Sequence, residues 1–209
     1  RYENLDYLSK PVLLAMVKNN SGFLDLDPLK KDSIKFDQII GKNALLRKKD
    51  LNSELIEVNS VLSNSGSVVF VDSIPEKAQR LSEYLPDGAL SKDLQKKLQS
   101  AENSIYSMNE EKRQESIKST IESSLESAGF KSIEIQQVDF FNRTVISRNR
   151  IEDWFSIGQK KRKSYADHLI GRFTQEQIEQ IKKLLLVAIG GKTVKWRSNW
   201  LFVKAVKQQ

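Results

Sequence analysis

At 209 residues the chain can bury one sizeable core or two small ones, and 39% apolar with 29% charged residues is the make-up of an ordinary globular protein. Zero cysteines exclude a disulfide framework and thiolate metal sites, and the single His168 excludes a multi-histidine centre, so no metal is expected. A net charge of +7 suits an acidic partner, nucleic acid first, but the plainer reading is a lysine-rich surface that is merely soluble. No apolar run approaches the roughly 18 residues of a membrane span. The first residues carry no signal-peptide pattern. The expectation is a cytoplasmic chain with no membrane contact.

In chain order, Arg1–Lys10 reads as the tail of a helix, and Val12–Val17 after Pro11 as a buried strand closed by Asn19, Asn20, Ser21 and Gly22. Leu24–Lys31 suits a turn or short helix. The organising stretch is Ser33–Ser73, a strand–helix–strand unit. Lys35–Ile40 carries Phe36, Ile39 and Ile40 and stops at Gly41. Leu51, Leu55, Val58 and Leu62 give a helix one apolar face. Asn64, Ser65 and Gly66 turn the chain back, and Ser67–Val71 is a continuous apolar strand ended by Asp72. Such runs suit the centre of a parallel sheet, and their crossover should be right-handed.

Beyond Pro75, the spacing of Ala78, Leu81 and Leu85 predicts a helix over Glu76–Tyr84, broken by Pro86, Asp87 and Gly88. Leu94, Leu98, Ala101, Ile105 and Met108 predict another helix, and Ile117, Ile121 and Leu125 a third, ended by Gly129. Ser132–Val138 alternates as a strand with one wetter face. Helical structure resumes at Ile151–Phe155. Thr174–Gln177 is a capping box that opens an apolar stripe of Ile178, Ile181, Leu184, Leu185 and Ala188. Thr193–Val206 closes the chain as a strand bearing Trp196 and Trp200, four apart and therefore on one face, where packing is the default role.

Ligands of open α/β sheets bind beyond the carboxyl ends of the strands, so a site would lie at Gly41, Lys42, Asn43, Asp72 and Ser73. The plainer reading of these positions is strand-end turn chemistry. Asp37, at a strand start, is a surface or capping residue. The densest basic run, Lys160, Lys161, Arg162 and Lys163, stands beside Trp154, Phe155 and Tyr165. It could track a phosphate backbone while rings stack on bases, or it could be a solvated loop beside core aromatics. Arg47, Lys48 and Lys49 form a weaker cluster. His168 is paired with no nucleophile by any motif, and no catalytic residue is expected.

The order of elements resembles the C-terminal half of class I S-adenosylmethionine-dependent methyltransferases. FDQIIGKNAL from Phe36 looks like the family's fourth strand and loop, and LIEVNSVLSNSGSVVFVD from Leu55 like its fourth helix and fifth strand. Ala128–Phe130 looks like the entry to the sixth strand and Val194–Val206 like the antiparallel seventh. The resemblance implies an α/β fold, a mainly parallel Rossmann-like sheet with an antiparallel last strand pair. It implies a single incomplete domain over 1–209, with helical insertions at about 86–127 and 150–190. The family's glycine-rich cofactor loop and ribose carboxylate have no counterpart here. S-adenosylmethionine is therefore expected to bind only if an N-terminal half supplies them, and no cofactor is expected in this chain.

A narrower resemblance is to the methyltransferase-like region fused behind the replication-associated recombination AAA+ ATPase RarA. It rests on FDQIIGKNALLRKKDL, IPEKAQRLSEYL, AENSIY, WFSIGQKKRKSYADHLIGRFTQEQIEQI and VKWRSNWLFVKA. This implies an accessory domain that binds DNA or protein without its own catalysis, partnered by an upstream ATPase domain of the same polypeptide. The alternative is a fragment of a methyltransferase acting on nucleic acid or a small molecule. No GxxxxGK[ST] pattern occurs, so no ATP site is expected here. The topology carries an expectation too: Val12–Val17 pairs beside Lys35–Ile40, because an open edge on a central strand leaves backbone groups unpaired.

Overall fold

The computed structural model describes residues 35–46, 50–106, 117–158 and 163–208. The expected strand at Val12–Val17, its pairing beside Lys35–Ile40 and the cluster at 47–49 lie outside the described residues.

The organising unit is present with shifted bounds. β1 is Phe36–Lys42 and pairs in parallel with β2, Leu62–Ser73. Gly41 does not stop the strand. It lets β1 approach β2 closely, since a Cβ there would sit 2.6 Å from the Phe70 ring. Between them runs α1, Leu51–Ser60, capped by Asp50, whose carboxylate accepts from the Ser53 amide and hydroxyl. Leu62 is a buried first residue of β2, not the last of the helical stripe as the spacing predicted. The turn expected at Asn64–Gly66 lies inside β2. Phe36 stands opposite Leu62 but Gln38 opposite Ser67, and Ser65 takes a φ of 63° to absorb the extra residues.

The four-stranded sheet has the order β1-β2-β4-β3, with β3 Phe130–Ile146 and β4 Lys192–Lys207. β2 and β3 both pair antiparallel with β4. The fold is thus a mixed α/β sheet that opens on a parallel pair and closes antiparallel. The predicted strand at Ser132–Val138 extends to Ile146. Its second half is held by the ladder to β4 rather than by burial, because Phe140, Phe141 and Val145 are exposed. β3 and β4 make a ribbon of 17 and 16 residues that runs through two cores.

The first core lies on one sheet face. Leu55 and Val58 of α1 and Ile121 and Leu125 of α3 (Ile117–Ser127) pack with Val68, Phe70, Leu201, Val203 and Ala205. Asn59 ties α1 to the α3–β3 junction by donating to the carbonyls of Ala128 and Gly129. The second core is helical. It joins α2 (Lys92–Tyr106), α4 (Arg148–Trp154), α5 (Tyr165–Leu169) and α6 (Gln175–Ala188) to Ile146, Val194 and Trp196 at the far end of the ribbon. The Thr174–Gln177 capping box forms as predicted, and Ser164–Asp167 adds a second.

The helix expected over Glu76–Tyr84 is absent. Two short 3-10 turns, Pro75–Lys77 and Leu81–Tyr84, flank an extended stretch. The cause is tertiary. The Gln79 amide donates to the Arg197 carbonyl, and the Leu81 and Ser82 amides donate to the Glu102 carboxylate, so none is left for an intrahelical ladder.

Candidate functional site

The structure brings Gly41, Lys42, Asn43, Asp72 and Ser73 together at the carboxyl ends of the parallel pair. Asn43, at a φ of 53°, donates its amide to the Val71 carbonyl. Its Oδ1 accepts from the Ser73 amide and hydroxyl, both at 3.1 Å. Asp72 is 1% exposed. Its Oδ1 accepts from the Ala44 amide at 2.9 Å, and its Oδ2 from Leu45 at 2.9 Å and Leu46 at 2.8 Å. Both carboxylate oxygens thus hold the loop after β1, as a buried acid must be satisfied. Asp37, at the opposite end of β1, is exposed and accepts from the Ser63 hydroxyl.

Beside these strand ends, no described residue covers the sheet face opposite the first core. Ile40, Gly41, Lys42, Val71, Phe140, Asn142, Trp200 and Phe202 line a shallow concavity of about 470 Å³. Ile40 is 71% and Phe140 41% exposed. Phe140 meets Phe202 edge-on with ring centroids 6.1 Å apart, and the Lys42 ammonium lies 5.7 Å from the Trp200 ring centre. The spacing of Trp196 and Trp200 assigns both to one face and to packing. Both are half-buried: Trp196 packs against Tyr84 at 5.9 Å and Trp154 at 6.2 Å, whereas Trp200 lies on the open face beneath the Lys42 ammonium.

Of the basic run, Lys160, Lys161 and Arg162 lie outside the described residues, and Lys163 is exposed. Its neighbouring aromatics are committed elsewhere. Phe155 and Tyr165 are buried edge-on at 5.4 Å, and Trp154 leans on Trp196. His168 is exposed in the last turn of α5. Neighbouring Asp167 accepts from the amides of Ser164 and Gly158, which hold its carboxyl below the usual range.

The residue that sequence reading passes over is Glu102. It is fully buried in the helical core, accepts from the Leu81 and Ser82 amides, the Ser82 hydroxyl and the Tyr165 hydroxyl, and pins three segments together. Burial first, then the Glu102 charge, pushes the Tyr165 phenol well above its ordinary range and raises Tyr106 in the same way. A signal is present in the chain: Glu102 stands four residues after Leu98 and three before Ile105, inside an apolar stripe. Among the described residues no group of His, Cys, Asp or Glu is arranged to hold a metal, and no helix is long and apolar enough to cross a membrane.

No family model and no curated protein matches the chain. Solved structures similar to it include phosphoethanolamine N-methyltransferase 2 from Haemonchus contortus, at 18% identity and a TM-score of 0.32, covering 83% of this chain and 34% of that one. Phosphoethanolamine N-methyltransferase 1 from the same organism gives 13% identity and 0.35, covering 87% and 22%. The YcgJ protein of Bacillus subtilis gives 14% and 0.37, covering 84% and 65%. The chain spans from about a fifth to just under two thirds of the length of these structures. At such scores the likeness carries no argument about activity, which must be sought in this chain's own geometry.

Proposed function

We propose that this chain is a binding module without its own catalysis, a methyltransferase-like accessory domain of a RarA-type AAA+ ATPase that engages DNA or a protein partner. The observation that supports it is Asp72. The acid at the strand ends, where an α/β enzyme would place its ligand contacts, spends both oxygens on three backbone amides. The open sheet face beside it offers contact area lined mainly by apolar and aromatic side chains, with Lys42 and Asn142 at its polar positions. Titration calorimetry of the 209-residue chain with S-adenosylmethionine tests the reading. No heat beyond dilution is expected, and saturable micromolar binding would overturn it.

A second reading, a fragment of a methyltransferase acting on nucleic acid or a small molecule, draws on the same strand ends. Gly41–Asn43 and Ser73 converge there, and Asn43 with Ser73 leaves polar groups at the rim. Absent heat is expected on both readings, because the cofactor loop and ribose carboxylate have no counterpart in these 209 residues. The sequence upstream of Arg1 separates them, a Walker A motif favouring the first and a strand followed by GxGxG the second.

A further inference from the structure

We propose that the uncovered sheet face is a platform for single-stranded nucleic acid, on which Phe140, Trp200 and Phe202 stack against unpaired bases while Lys42 and Lys204 meet backbone phosphates. This rests on the binding-module reading and names its partner. Three aromatic rings from two adjacent strands share this face: Trp200 stands opposite Val138, Phe202 opposite Gln136, and Phe140 two residues beyond Val138. Ile40 and Val71 extend the apolar floor toward β1.

The alternative occupant of a bare sheet face is a layer of helices, and the polar groups here argue against it. The Lys42 ammonium lies over Trp200, Asn142 lines the concavity, and Lys204 pairs with Glu134 at 3.4 Å while both stay more than half exposed. A dry layer would bury two ammonium groups and a carboxylate at a large desolvation cost. A hydrated, negatively charged strand would not. Its phosphates suit the +7 net charge and the exposed Lys42 and Lys204, and its bases suit the aromatic floor, where Trp200 already carries the Lys42 ammonium. Duplex DNA hides its base faces, so the rings select unpaired nucleotides. The aromatics that neighbour the basic run in sequence, Trp154, Phe155 and Tyr165, are packed in the helical core and do not share this face.

The test is fluorescence anisotropy of a labelled oligo(dT) of about 15 nucleotides with the 209-residue chain at low salt, against a duplex of the same length as competitor. The single strand should bind at least about tenfold more tightly than the duplex. Phe140→Ala and Phe202→Ala should each weaken binding about tenfold, within the range for loss of one base–aromatic stack, while Phe140→Tyr keeps near-parental affinity. Lys42→Ala should reduce the salt dependence by about 0.7 in log–log slope, the value for one phosphate on a single strand. Circular dichroism checks that each variant is folded; Phe140 is exposed, so its loss should leave the fold intact. Equal affinity for duplex would overturn the proposal, as would binding unaffected by Phe140→Ala but lost when residues 160–163 are replaced. No binding of the single strand at low salt would also overturn it, leaving a protein partner for the module. S-adenosylmethionine binding would instead remove the module reading beneath it.

Discussion

The two cores are each held by a buried carboxylate, and they use it differently. In the sheet core, Asp72 reaches from a long strand to three consecutive amides of one loop. In the helical core, Glu102 joins α2 to a 3-10 turn and to α5, elements that sequence alone keeps far apart. Strands β1, β2 and β4 carry ladders of their own, so the Asp72 loop is an addition to a framework that already holds. The helical core takes its sheet residues only from the far end of the ribbon, at Ile146, Val194 and Trp196. The turn at Leu81–Tyr84 and the five-residue α5 are too short to be stable as isolated structure. There the polar anchor defines the fold locally; in the sheet it trims an end.

The largest expected effect is therefore at the helical anchor. Glu102→Ala leaves two buried amides, a serine hydroxyl and a tyrosine hydroxyl without a partner, and opens a cavity beside them. We expect a loss of about 4 kcal/mol, the scale for breaking a buried charged network. Because the ribbon β3–β4 is shared, the loss should first appear in the helical core. Tryptophan fluorescence, which reports Trp154 and Trp196 there, should then melt below the far-ultraviolet circular dichroism signal. Coincident transitions would show that the two cores unfold as one and would break the comparison.

Asp72→Ala should cost less, about 2 to 3 kcal/mol. The Ala44 and Leu46 amides are only part-buried, so water can replace the carboxylate at two of its three contacts. Chemical unfolding should remain a single transition. A loss as large as that of Glu102→Ala would mean that the loop after β1 is as much a keystone as the helical anchor.

Sequence legibility divides along the same line. α1 and β2 are readable because local propensity and burial agree there. β1 forms as an end strand of the described sheet with none of its residues buried and Ile40 71% exposed, not as the buried central strand its apolar run predicts. The strand-end cluster at Gly41–Asn43 and Asp72–Ser73 can be placed together from strand polarity alone. The helical stripe of α6 and its cap are readable for the same reason. The segment around Arg80 is not. Ala78, Leu81 and Leu85 have helical spacing, yet Arg80 donates to the carbonyls of Pro75, Glu76 and Ala78 and lies 4.3 Å from the Tyr106 ring centre. Contacts to α2 and β4 outbid a local ladder, and no window of sequence contains them. The far half of β3 is hidden for the complementary reason: its pairing partner lies beyond three helices in the chain, and its side chains are exposed. The open aromatic face is illegible because Phe140, Trp200 and Phe202 come together only through that pairing.

The smallest expected effect distinguishes the two anchors by pH. Replacing Tyr165 with Phe removes one of the four donors to Glu102 and should cost about 1 to 2 kcal/mol at roughly neutral pH. The folded phenol is held above its ordinary value of about 10 by burial and by the Glu102 charge, whereas the unfolded phenol ionises near 10. Above about pH 10 the unfolded chain therefore gives up a proton that the folded chain keeps. The stability tied to Tyr165 is complete below about pH 10 and falls as pH rises toward the folded value. The phenylalanine variant has no proton to lose at this position, so the gap between parent and Tyr165→Phe should narrow from about pH 9 to about pH 11. Urea midpoints of both proteins at intervals from about pH 7 to about pH 11 measure it. The same series on Asp72→Ala should show a constant gap, since Asp72 accepts only from backbone amides that do not titrate there. A Tyr165→Phe gap that stays unchanged across the whole series would place the phenol in a wetter setting than its contact with Glu102 indicates.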